Sequence, residues 1–320
     1  MTTPTPTPPL DAFSHTDATA WVEHYLEAQL ILLATDTIAT YRQKLQQFLD
    51  WWHDHAPEAP YTARLAYRYA RHIEKQPWSS RTHLLHFAVL RRWSGYLMTT
   101  GRLSDNPWQQ IRPPRQPAQL STDWLTFGEI KKLLASFKKK RAKTLSHQRD
   151  ALLCRLMLKT GVRETELGRA LIGDVQPIGP NEQEAWLEVK SKGKQKIEPV
   201  LLVRSLYNDL KAYLRRRYPQ GPFPAGDPLF TTYYDEEARP MPPREMRRRI
   251  TAAYQHAGIH RNGITPLSLR QTAGKQALAK RAPLSAVQAM MRHESIKTTK
   301  RLVEQEHRQQ SAAERFLSHY

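Results

Sequence analysis

The sequence predicts a two-domain α+β protein, mostly helical with one small β-sheet. Three observations predict it. Apolar residues recur at i, i+3 and i+4 through most of the 320 residues. Only one place breaks that rhythm, where two short segments rich in β-formers flank a lysine-rich turn. And a proline-rich stretch, RPPRQPAQL at Arg112–Leu120, divides two regions of different charge.

The opening MTTPTPTPPLDAF has no basic start and no apolar core, so no secretory signal is expected. Residues 1–14 read as a disordered Thr/Pro leader. The next region, 15–111, reads as four helices burying one core. Thr16 or Asp17 can start the first, with Val22, Leu26, Leu30 and Leu33 on one face. Thr35 and Asp36 can cap the second, whose stripe is Ile38, Tyr41, Leu45, Phe48 and Trp52. A shorter helix is expected around Ala63 to Lys75. Ser79 or Ser80 opens the fourth, with Leu85, Val89, Trp93 and Tyr96 aligned and Gly101 as its stop. Arg64, Arg68, Arg71, Arg81, Arg91 and Arg92 recur on the polar faces. They are either a solvated surface or a nucleic-acid contact.

After a linker at 112–120, residues 121–303 read as a second domain. Thr126-Phe-Gly-Glu129 has the form of a capping box before IKKLLASF. A helix over Asp150–Lys159 ends at Gly161, and a short one follows from Arg163 to Leu171. Trp186–Val189 and Ile197–Val203 are expected to pair as a hairpin, with Gly193 at its tip. Thereafter the pattern is helical, interrupted by loops near Pro219–Pro228 and Pro240–Pro243. Cys154 is the lone cysteine, which excludes an internal disulfide and a multi-cysteine zinc site, and its apolar surroundings read as core. Residues 304–320 carry a weak stripe at Ala312, Phe316 and Leu317. That stripe packs on its own domain or docks on a neighbouring copy.

Charge narrows the function. The chain has 49 Lys+Arg against 30 Asp+Glu, a net +19, with pI near 10.1. Residues 1–120 hold 12 basic and 10 acidic groups, net +2; residues 121–320 hold 37 and 20, net +17. That excess points to a polyanionic partner, either nucleic acid or an anionic membrane surface. A mean hydropathy of −0.66 and the lack of a long apolar run exclude a membrane span.

Four motifs carry chemistry. Thr160-Gly-Val-Arg163-Glu-Thr-Glu166-Leu places an arginine at a helix start, where a cation opposes the helix dipole. An anionic ligand would account for it, and so would an Arg163–Glu166 pair. Lys190, Lys192, Lys194 and Lys196 alternate across the hairpin tip, which suits a phosphate backbone or protects a sheet edge. Thr265-Pro-Leu-Ser-Leu-Arg270-Gln271 puts Arg270 one turn into a helix. Met291-Arg292-His293-Glu-Ser-Ile-Lys-Thr298-Thr299 places a histidine between helices.

Taken in this order, the motifs resemble the tyrosine recombinase (phage integrase) family over most of the chain. The resemblance implies a helical SAM-like core-binding domain and a catalytic-type domain, together forming a C-shaped clamp on double-stranded DNA. It implies strand cleavage by a tyrosine, leaving a 3′-phosphotyrosyl link and a free 5′-hydroxyl, with no metal and no cofactor. Arg163 and Arg270 match the family's two arginines, Lys192 its hairpin lysine (Lys190 or Lys194 if the register slips) and His293 its late histidine. Arg64, Arg68, Arg81, Arg91, Arg92, Lys190, Lys194 and Lys196 are the expected DNA contacts. Such a protein is expected in the bacterial cytoplasm, associated with the nucleoid.

The sequence also departs from the family pattern. Leu267 and Gln271 stand where the second motif has histidines. Arg292 stands where a glycine usually precedes the late histidine. The nucleophile is expected nine residues after that histidine, at Leu302, and the next tyrosine is Tyr320, the final residue. The first expectation is therefore a DNA-binding protein defective in cleavage, acting as an oligomer or beside an active recombinase. The alternative is an active enzyme that uses Tyr320 or a partner's tyrosine in trans. A third is an interaction protein that has reused the scaffold.

Overall fold

The structure is a computed structural model that describes residues 13–113, 123–138, 144–190, 196–232 and 239–302. The chain divides into two compact units, Met1–Gln119 and Leu120–Tyr320. The leader up to residue 12, most of the linker, Lys192, Gly193, Lys194 and the segment that includes Tyr320 lie outside the described residues.

The first unit is a four-helix assembly: α1 (His15–Gln29), α2 (Thr35–His55), α3 (Ala63–Lys75) and α4 (Ser80–Thr99). Ser14 caps α1, forming a reciprocal box with Asp17, so the helix starts before the expected Thr16. Phe13, just ahead of it, is buried. Because α1 stops at Gln29, Leu30 leaves the apolar face and is 58% exposed. The residue before α2 is Ala34, which offers no side-chain cap, so neither Thr35 nor Asp36 is the cap. Asp36 instead sits in the first turn, where a carboxylate favours the positive end of the dipole. Ser79 caps α4 as expected, accepting from the Thr82 amide.

The core of this unit is aromatic. Phe48, Trp52, Tyr61, Tyr69, Trp93 and Trp108 are all buried in one cluster. Two of these rings have their polar atoms paired with one another. Tyr61 Oη meets Ser94 Oγ at 2.7 Å, and Trp108 Nε1 donates to Tyr61 Oη at 2.9 Å.

The second unit surrounds a three-stranded antiparallel sheet in the order β1 (Val175–Ile178), β2 (Glu184–Lys190), β3 (Ile197–Leu202). β2 and β3 form the expected hairpin, pairing Trp186 with Leu201 and Lys190 with Ile197. Their pleat buries Ala185, Leu187, Val189, Val200 and Leu202, leaving Trp186, Ile197 and Leu201 exposed on the other face. β1 is not visible in the sequence. It is short and contains Pro177, which an edge strand tolerates because that amide need not join a ladder.

The helices of this unit are α5 (Phe127–Ser136), α6 (Leu145–Thr160), α7 (Glu164–Leu167), α8 (Arg204–Arg217), α9 (Pro243–His256), α10 (Leu267–Ala279) and α11 (Leu284–Met291). Thr126 and Glu129 form the capping box read from sequence. α6 begins five residues before the expected Asp150, capped by Thr144. α7 is one turn long and does not reach Leu171, because the backbone passes into a 3-10 turn at Ile172–Asp174 that leads into β1. α6 packs on α8 and α10, and α10 on α11. Cys154 is buried in this core. Among the described residues no helix is long and apolar enough to cross a membrane.

Candidate functional site

The site is built around Gly161. This residue ends α6 at φ +64°, a conformation that glycine adopts without penalty. A Cβ there would lie 2.7 Å from Met291 Sδ, so the close approach of α11 also requires glycine. The sharp turn aims the next segment away from α6 and makes Arg163 the N-cap residue of α7.

Glu166, on α7, is 1% exposed and gathers the cations. Arg163 donates to it twice, from its backbone amide (2.8 Å) and from Nη1 (2.5 Å). Arg292 donates from Nη2 (2.8 Å) and Nε (3.3 Å). Burial alone would raise the Glu166 carboxyl, but Arg292 and Arg163 outweigh it and hold the group below the usual carboxylate range. The local ion pair read from sequence is therefore present, and its carboxylate also serves a second arginine.

Arg270 projects from α10 and is 3% exposed. Its two Nη groups donate to the carbonyls of Gly161 and Met291. Burial, together with Arg163 and Arg292, pulls its guanidinium down to about 9. His293 follows α11. Burial first, and then the three arginines, pull its imidazole down to about 4, so it is neutral at pH 7. Its Nδ1 lies 2.9 Å from Oγ1 of the buried Thr299. A Thr299 hydroxyl donating to Nδ1 leaves the ring proton on Nε2, free to serve as a donor.

A groove of about 1280 Å³ opens in front of these residues. Arg163, Arg292, His293, Lys159 and Lys196 line it, facing Trp186, Ile197 and Leu201 of the hairpin. The structure thus brings Arg163, His293 and Lys196 to one groove. Arg270 lies behind it, held by carbonyls. Lys190 is exposed at the end of β2, and the Lys196 ammonium is 3.9 Å from Glu198.

The degenerate positions have different fates. Leu267 opens α10 and is 41% exposed, whereas Gln271 Oε1 is buried with no hydrogen-bond partner among the described residues. Leu302 is 6% exposed and packs with Val287 and Met291, its Cδ1 only 2.9 Å from where a Cβ on Gly274 would sit.

In the first unit, Arg64, Arg68 and Arg71 are exposed along α3 at helical spacing. Arg68 donates to the His55 carbonyl and Arg71 pairs with Glu74. Arg81 is exposed at the start of α4. Arg91 is engaged with the carbonyls of Trp108 and Ile111, and Arg92 with Tyr41 Oη.

Sequence reasoning missed Arg292 and Thr299 as parts of this site. In the sequence Arg292 is only a departure from glycine, and nothing in the order of residues shows that it reaches Glu166 across 126 positions. Among the described residues no cluster of three or more His, Cys, Asp or Glu could hold a metal.

Comparison with known proteins agrees with this reading of the fold. The chain is 26% identical over 299 residues to Tyrosine recombinase XerC 2 of Ralstonia nicotianae, covering 91% of this chain and 83% of that one. It is 27% identical over 273 residues to Tyrosine recombinase XerD of Xanthomonas axonopodis pv. citri, covering 83% and 86%. Two solved structures share the fold. One is the XerH site-specific recombinase bound to difH substrate in a pre-cleavage complex (TM-score 0.69, 17% identity, 91% and 93% covered). The other is a lambda integrase dimer bound to a COC′ core site (TM-score 0.66, 15% identity, 89% and 94% covered). The sequence profile of the phage integrase family matches residues 123–308, which takes in the Gly161 turn, the hairpin and both arginine helices. A match over more than half of the chain, centred on the groove and its cations, makes this protein a member of the phage integrase family of tyrosine recombinases.

Proposed function

We propose that this protein binds duplex DNA through a recombinase scaffold and is defective in strand cleavage. The observation that carries this is Leu302. It occupies the position where the family resemblance calls for the nucleophile, has no nucleophilic atom, and is buried among apolar side chains. In this reading Arg163 and His293 hold a phosphate, the one as a guanidinium with its outer side in the groove, the other as a neutral donor. Lys190, Lys192, Lys194 and Lys196 meet the backbone nearby, and Arg270 holds the carbonyls beneath the site and adds positive potential. Leu267 and Gln271 supply no general acid or base.

The net +17 of residues 121–320 supports sequence-independent affinity. The DNA-bound states named for the XerH and lambda integrase structures support the same partner. Both domains, 15–111 and 121–303, contact DNA, the first through Arg64, Arg68, Arg81, Arg91 and Arg92. The protein acts as an oligomer or beside an active recombinase, in an accessory or regulatory role.

The test is fluorescence anisotropy with labelled duplexes over a salt series. Affinity is expected to fall steeply with salt, and Arg163→Ala is expected to weaken it and to reduce the slope by about one counterion contact. Binding that is indifferent to salt, or an Arg163→Ala protein equal to wild type, would refute the phosphate contact.

A further inference from the structure

Arg292 occupies a costly position. It terminates α11 at φ +50°, ψ +48°, a left-handed conformation that disfavours every side chain with a Cβ. Its guanidinium is also 3% exposed, and a buried cation needs partners. It finds them on three residues. Nη2 and Nε meet both oxygens of Glu166, Nη1 donates to the Met290 carbonyl at 2.8 Å, and Nη2 reaches the Gly161 carbonyl at 3.2 Å. Its own carbonyl accepts from Arg163 Nη2 at 3.2 Å.

These contacts make Arg292 the point at which the site residues meet. Through Glu166 and its own carbonyl it fixes Arg163. Through Gly161, whose carbonyl also accepts from Arg270, it fixes the second arginine. Through the backbone it sets the position of His293. A planar fork with five donors can make all of these contacts together; a lysine ammonium cannot.

We propose that Arg292 is a positioning residue of the phosphate site, a guanidinium that locks Arg163, Arg270 and His293 into one arrangement while adding a third positive charge at the groove. This rests on the phosphate-binding reading above. It assigns Glu166 a matching role: shared by Arg163 and Arg292, the one carboxylate offsets only one of the three guanidinium charges gathered here. Arg163, Arg270 and Arg292 are the cations around His293, Glu166 is the carboxylate shared by two of them, and Thr299 is the hydrogen-bond partner of the His293 ring.

Two variants separate position from charge. Arg292→Gly removes the guanidinium and relieves the backbone. Arg292→Lys keeps the charge and loses the fork. The first readout is the titration midpoint of the His293 ring by NMR in DNA-free protein, its signal identified by its loss in His293→Gln. The second is affinity for a 30-base-pair duplex of arbitrary sequence. Arg292→Gly is expected to raise the His293 midpoint by about half a pH unit or more, through loss of one nearby charge. Arg292→Lys is expected to hold it near the wild-type value. Both variants are expected to lose roughly three- to tenfold in affinity, because neither holds Arg163 and Arg270 together. An unchanged midpoint in Arg292→Gly, or wild-type affinity in Arg292→Lys, would overturn the proposal. Should Arg292→Gly fail to fold, the Arg292→Lys affinity decides alone. A wild-type protein that does not bind DNA would instead refute the phosphate reading, and the midpoints would still report on the charge of Arg292.

Discussion

Gly161→Ala is the sharpest test of how the site is built. Two costs add at this residue. Holding a Cβ at φ +64° costs about 1–2 kcal/mol. The new methyl would also lie 2.7 Å from Met291 Sδ, and displacing a packed methionine costs about 1–2 kcal/mol more. The sum is about 2–4 kcal/mol, or a fall in Tm of roughly 5–10 °C for a unit of this size. Gly258 is the internal control. It has nearly the same φ, +68°, but open space around its would-be Cβ. Gly258→Ala therefore carries only the backbone cost, about 1–2 kcal/mol and a few degrees. Calorimetry on both variants isolates the contact term. Because the Gly161 carbonyl accepts from Arg270 and Arg292, its displacement is also expected to weaken DNA binding, which Gly258→Ala leaves alone. Equal Tm losses in the two variants would refute the close-approach argument, and wild-type affinity in Gly161→Ala would refute the link from this turn to the site.

Three further perturbations have expected outcomes of the same kind. His86 is fully buried with neither ring nitrogen hydrogen-bonded among the described residues, and burial, with Lys44 and nearby histidines, pulls it down to about 3. Between pH 6.5 and about 3 the unfolded chain therefore binds a proton that the folded one does not. Stability of the first unit should fall as pH drops through that window, by up to about 1.4 kcal/mol per pH unit, and His86→Phe should flatten the slope in urea titrations. Glu166→Gln leaves two arginines without their carboxylate and should cost about 3–5 kcal/mol at pH 7 by calorimetry. Since Glu166 titrates lower in the fold than in the unfolded chain, its contribution is complete above about pH 4.3 and is lost as pH falls through the folded value, so the variant's penalty should shrink in acid. Leu302→Ala, which empties a packed apolar position, should lower stability by about 2–4 kcal/mol in chemical denaturation while leaving DNA affinity unchanged.

Much of the fold is legible in the order of residues, and the reasons are local. Helix stripes such as Leu45, Phe48 and Trp52 repeat within a few residues, and the Thr126–Glu129 box is read over four. Alternating β-formers at Trp186–Val189 and Ile197–Val203 mark the paired strands of the hairpin. Leu267 and Leu302 stand out because a spacing can be counted. What stays hidden depends on distance or on backbone angle. The start of α2 is obscured because Ala34 carries no signal of its own. β1 escapes because four residues containing a proline have no period. Arg292 meets Glu166 only after α6, α10 and α11 have packed, and its left-handed φ leaves no mark in the chain. The inward turn of Arg270 is of the same kind, since sequence places it on a helix face but not toward two carbonyls.

The proposed function is that this recombinase-family protein holds DNA without breaking it. The most direct measurement is to incubate the purified protein with sheared source-genome DNA and divide the retained fragments between a native wash and an SDS wash. Fragments are expected to be held natively at moderate salt and released completely by SDS. Fragments that survive SDS on wild-type protein, and are lost with Tyr320→Phe, would identify a covalent phosphotyrosyl intermediate and contradict the proposed function.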